Sequence, residues 1–132
     1  MKAIIFRFVS AAMLTLSVSH SAYAGDLVVI AHSSVSLSAN EVRDVFLGEK
    51  QFAGSTKLVP VDNAAQQENF LSKLMQMPST KYNSIWTKKA FRDGLTAPAI
   101  KSSDREVIEY VKRTPGAVSY VSSSPGEVNI IK

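Results

Sequence analysis

The chain has 132 residues, with 15 lysines and arginines against 11 acidic residues, two histidines and no cysteine. Without a thiol, disulfides, thiolate metal sites, cysteine nucleophiles and lipidation at cysteine are all excluded. The basic residues are scattered: Lys88-Lys89 and Lys112-Arg113 are the only adjacent pairs, and no basic stripe interleaved with aromatics marks a nucleic-acid surface.

Residues 1–24 have a basic start at Lys2 and Arg7, an apolar stretch through Val18 and a small-x-small ending at Ala22-Tyr23-Ala24. This is the pattern of a secretory signal peptide, so cleavage is expected near Ala24 and a periplasmic or secreted location follows. Residues 25–132 remain, enough for one domain. Losing Lys2 and Arg7 leaves 13 basic against 11 acidic side chains, and His32 becomes the sole histidine.

The first expected element is "DLVVIA" (26–31), a continuous apolar, β-branched run suited to a strand covered on both faces. Ser38 and Glu41 form a capping box, Val42, Val45 and Phe46 recur at helical spacing, and Gly48 supplies a left-handed stop, which predicts a helix over 39–47. "KLVPV" (57–61) reads as a second strand. Asn63 and Gln66 repeat the capping pattern in a weaker form, ahead of a helix over 64–77 with Phe70, Leu71, Leu74 and Met75 on one stripe.

Pro78 ends that helix, and Ser79 or Thr80 can cap the next, over 81–92, with Tyr82, Ile85 and Trp86 facing inward. Ser103 and Glu106 open a helix over 104–113 that Thr114-Pro115-Gly116 stops. "AVSYV" (117–121) and "VNII" (128–131) are short strands. The order β-α-β-α-α-α-β-β implies an α/β fold, with the strand at 27–31 parallel to and near the strand at 58–61. The expected core is Val29, Phe46, Phe70, Leu74, Trp86, Ile108, Val111 and Tyr120.

Candidate ligand residues cluster at two strand ends. Ser33 and Ser34 follow the first strand, where open α/β sheets place ligands, and read either as hydroxyl donors to an oxyanion or as ordinary loop serines. Asn63 and Gln66 read either as amide partners of a small ligand or as caps of their own helix. The backbone N–H groups of Ala64, Ala65 and Gln66, at a strand-to-helix junction, suit an anion. His32, without a second histidine or a cysteine, seeds no zinc site, and no nucleophile elbow accompanies it, so neither a metal, a cofactor nor catalysis is expected.

The runs "LSANEVRDVFLG", "VPVDNAAQQENF" and "SSDREVIEYVKRTPGAVSYV" together resemble the second lobe of the periplasmic phosphate-binding proteins of ABC transporters, and most closely the short single-lobe members of that PBP-like family. The resemblance covers essentially all of residues 25–132. It implies a single periplasmic-binding-protein-like lobe, a mixed, mostly parallel sheet flanked by helices. It also implies a non-enzymatic solute-binding role toward phosphate or another small oxyanion, with a membrane sensor or transporter component as partner. Where full-length phosphate binders carry Ser-Gly-Thr at the junction, this chain has Ala64-Ala65-Gln66, preceded by Asp62 and Asn63. A carboxylate ~4 Å from a bound anion repels it by roughly 1–4 kcal/mol, so weak binding is implied. The alternative is an accessory or sensory interaction domain that has lost the phosphate site.

Overall fold

A computed structural model describes residues 27–123 and 125–132; the expected leader and its cleavage site lie outside them. Strand β1 (Val28–Ala31) leads through a 3-10 turn (Ala39–Glu41) into helix α1 (Val42–Phe46). A hairpin of β2 (Phe52–Ala53) and β3 (Thr56–Lys57) precedes β4 (Val59–Asn63). Helix α2 (Gln67–Phe70) widens into a π-helical turn (Leu71–Met75), and α3 (Ser79–Asp93) follows. Strand β5 (Ala99–Lys101), helix α4 (Asp104–Arg113), β6 (Ala117–Val121) and β7 (Asn129–Ile130) complete the order.

Five strands form one sheet in the order β5-β4-β6-β1-β7. β4 runs parallel to β5 and β6, while β1 runs antiparallel to both its neighbours, β6 and β7. The expected α/β class holds, with four of the five strands pointing one way. The expected orientation of the first strand does not: β1 is antiparallel to β4, and β6 lies between them. A continuous apolar run specifies burial on two faces, and it carries no information about direction.

Alternation along the strands sorts the core into two layers. Val29, Ala31, Val118 and Tyr120 pack with Phe46, Phe70, Met75 and Trp86 on the side of α1, α2 and α3, whereas Ile30, Ala117 and Val121 meet Val107 and Val111 of α4 on the other. Six of the eight expected core residues are buried, and Leu74 and Ile108 are half-buried at the margins. Phe70 stacks on Tyr120 at 3.9 Å between centroids and meets Phe46 edge-on at 4.8 Å. Each such pair contributes about 0.5–1.5 kcal/mol beyond area burial.

The capping signals place two helix starts well. The Glu41 carboxylate accepts from the Ser38 N–H at 3.2 Å and its hydroxyl at 2.7 Å. Those bonds, led by the hydroxyl and joined by Lys50, hold Glu41 down at about 2. The Ser103 hydroxyl accepts from the Glu106 N–H at 3.3 Å. The helix expected over 64–77 instead begins at Gln67 and stops at Met75, where Gln76 turns left-handed with φ 55°. The β2–β3 hairpin and β5 are elements that pattern reading misses, because two- and three-residue strands are too short to show alternation.

Gly116 ties the hairpin to the sheet. Its φ is +84°, its carbonyl accepts from the Val59 N–H at 2.8 Å, and a Cβ there would lie 2.0 Å from the Lys57 carbonyl oxygen. Gly116→Ala combines a left-handed backbone with a backbone clash and is expected to cost about 2–4 kcal/mol. Thermal denaturation should show a fall in Tm on the order of 10 °C.

Candidate functional site

The antiparallel course of β1 separates the expected ligand residues into two groups. Ala31 pairs with Val118 near the start of β6, and Val59 pairs with Ala117, so the carboxyl end of β1 lies at the amino ends of β4 and β6. Ser33 and Ser34 are therefore at one end of the sheet and Asn63, Ala64, Ala65 and Gln66 at the other. The rule that ligands gather at the carboxyl ends of strands presumes parallel strands, and β1 is not one of them.

At the first end, Ser33 and Ser34 are exposed, and the Ser34 hydroxyl lies 2.8 Å from Nδ1 of His32. The same hydroxyl accepts from the Gly116 N–H at 3.3 Å, while Asn129 Nδ2 donates to the Ser33 carbonyl at 3.2 Å. This is a turn that closes on the sheet. Among the described residues no carboxylate hydrogen-bonds the His32 ring.

At the second end, every N–H expected to face an anion has an acceptor within the protein. Ala64 donates to the Lys101 carbonyl at 2.8 Å, Ala65 to Asn63 Oδ1 at 3.1 Å and Gln66 to the Asn63 carbonyl at 3.0 Å. Asn63 is fully buried and donates through Nδ2 to Asp104 Oδ1 at 2.7 Å and to the Tyr120 carbonyl at 3.0 Å. Asn63 organises the turn and welds β4 to α4 and β6, but the expected cap is not made: the residue before α2 is Gln66, with no side-chain capping hydrogen bond. Asp104 also accepts from the Ser122 N–H at 3.0 Å and from its hydroxyl. Partial burial works to raise the Asp104 pKa, but the Ser122 and Asn63 donors outweigh it and hold the carboxyl below its ordinary value.

Asp62, expected to flank the anion, instead points to the α3 side and is 3% exposed. Tyr120 donates to its Oδ1 at 2.7 Å and Tyr82 to its Oδ2 at 2.8 Å, and Gln67 adds a further hydrogen bond. Burial raises the Asp62 pKa, and these donors offset only part of that rise. Both phenols are pushed up as well, by burial first and then by the neighbouring carboxylate. The carboxylate lies against a cleft of about 440 Å³ between α3 and β5, with Gln67, Asn83, Thr87 and Ile100 around it. The sequence places Asp62 beside the expected anion and not in the core. The signal that could have placed it inside was its position in β4, at the same alternation phase as Leu58.

No protein-family model matches the chain, and no curated protein matches it in sequence. Among solved structures it is similar to the crystal structure of an ABC-type phosphate transport receptor from Vibrio cholerae, with a TM-score of 0.59 and 14% sequence identity. The match covers 82% of this chain and 45% of that one, so the chain spans less than half of that receptor's length. At this identity the likeness is one of fold: an α/β lobe whose mostly parallel sheet is flanked by helices.

The two neighbouring acids should respond to pH with opposite sign. A raised folded pKa means that Asp62 contributes stability that is fully present below its unfolded value of 3.8 and is lost as pH rises through the folded value. Asp62→Asn should therefore gain stability relative to the parent as pH climbs above about 4. Asp104, lowered in the fold, contributes stability above its unfolded value that is lost as pH falls through the folded one. Asp104→Asn should cost about 1–2 kcal/mol at neutral pH, and the deficit should shrink on acidification. Urea denaturation across pH 3–8 on both variants measures the two signs.

Proposed function

We propose that this chain is a non-enzymatic exported binding protein, a single solute-receptor-type lobe that works in the periplasm or outside the cell after removal of residues 1–24. Its β4–α2 junction braces the sheet, and phosphate is not held there with receptor-grade affinity. The observation that carries this reading is the internal commitment of the Ala64, Ala65 and Gln66 N–H groups to Lys101 and Asn63. A phosphate at that turn would have to break those bonds.

Calorimetry with inorganic phosphate tests the reading. The expected dissociation constant is no tighter than about 0.1 mM, equivalent to about 5 kcal/mol of binding free energy. Micromolar affinity would overturn it. Replacing Ala64-Ala65-Gln66 with Ser-Gly-Thr should leave the affinity within about threefold, because added hydroxyls do not release the committed N–H groups.

A second reading, an accessory or sensory domain that docks on a membrane sensor or transporter component, is favoured by two exposed apolar side chains. Phe91 of α3 is 90% exposed and Ile100 of β5 is 56% exposed. A photo-crosslinking side chain at position 91 should trap an envelope protein in cells if this reading holds, and the absence of any adduct would remove it.

A further inference from the structure

A second cavity lies away from the β4–α2 junction, on the same face of the sheet as α3 but toward the amino end of β4. Its volume is about 310 Å³, and its walls include Val45, Leu58, Trp86 and Leu95, with Lys50 and Lys57 among the lining residues. No acidic side chain lines it. The size falls at the lower end of small-molecule sites, and the mixture of an aromatic wall, aliphatic walls and a few charged groups is the composition such sites have.

The indole wall is held in place before any ligand arrives. Trp86 Nε1 donates to the Phe46 carbonyl at 3.0 Å, and the ring packs so closely on Gly48 that a Cβ there would sit 2.8 Å from it. Lys89 places its ammonium over the same ring, 5.8 Å from the centroid, and bonds the Leu47 carbonyl. Of the two lining cations, Lys50 is paired with Glu41 at 3.1 Å. Lys57 has no ion pair among the described residues. The cavity thus combines an aromatic-aliphatic floor with a lining lysine that has no ion pair among the described residues.

From this we infer that the cavity between α1, the β2–β3 hairpin and α3 binds a small organic carboxylate, its apolar body against Trp86 and its carboxylate toward Lys57. The inference rests on the reading of the chain as a binding protein and names a ligand class for it. An inorganic oxyanion would satisfy the lysine but leave the apolar walls unpaired. A neutral solute of the same shape would do the reverse.

Trp86 is the chain's only tryptophan, so its indole resonances report on the cavity directly. Heteronuclear NMR titrations with benzoate, benzamide and inorganic phosphate provide the test. Benzoate is expected to shift Trp86, Leu58 and Leu95 with a dissociation constant on the order of 1 mM, benzamide to bind at least ~10-fold more weakly, and phosphate not to displace benzoate. Lys57→Gln should weaken benzoate about 5–10-fold while leaving benzamide unchanged, and the spectrum itself shows that the variant is folded. Equal affinity for benzoate and benzamide, shifts confined to residues outside the cavity, no response to benzoate, or insensitivity to Lys57→Gln would each overturn the site. Those outcomes leave the wider reading standing, because that reading fails separately, on micromolar phosphate affinity in calorimetry.

Discussion

A carboxylate with 3% of its surface exposed sits between β4, α3 and β6, and the placement of those three elements depends on it. Burying an ionisable group is costly unless its oxygens are hydrogen-bonded, and Tyr82, Tyr120 and Gln67 supply those bonds to Asp62 from three different parts of the chain. Tyr120 in turn lies flat against Phe70, which meets Phe46 edge-on. The polar contact and the aromatic cluster are therefore one unit. Moving α3 would strand the Tyr82 hydroxyl and leave the carboxylate short of a donor.

The same geometry decides what the strand-to-helix junction can do. With Asp62 turned to one face and Asn63 to the other, β4 ends in a side chain that ties α4 and β6 together through Asp104 and Tyr120. The three N–H groups that follow are drawn inward by Asn63 and Lys101. A loop that serves as a brace in this way is satisfied without a ligand. The reversed β1 has a parallel effect at the other end of the sheet, where Ser34 secures Gly116 and the turn carrying His32.

The cation proposed to meet a carboxylate lies instead on the β2–β3 hairpin, in the lining of a separate cavity. The hairpin places Lys57 among the residues that line the cavity with Trp86, and Gly116 admits the close approach of the Lys57 carbonyl that a Cβ would block. Charged and aromatic groups can thus gather away from the carboxyl ends of β4 and β6, because a fold does not by itself fix where its sites lie.

The sequence by itself determined the α/β class, three helix positions, most of the core and the phase of the second helix, as the full burial of Phe70 shows. It did so because capping boxes and apolar periodicity are local: Ser38 with Glu41 and Ser103 with Glu106 act within one turn of chain. Tertiary structure alone decided the direction of β1, the pairing of the hairpin and β5, and the partners of Asp62, Asn63 and Ala64. Strand direction is set by which neighbour completes the sheet, and Asp62, Asn63 and Ala64 found partners at Tyr82, Lys101, Asp104 and Tyr120, 20 to 58 positions further along the chain. A donor or acceptor reads as free in sequence because its competitor is distant. Only packing shows that the competitor has arrived first.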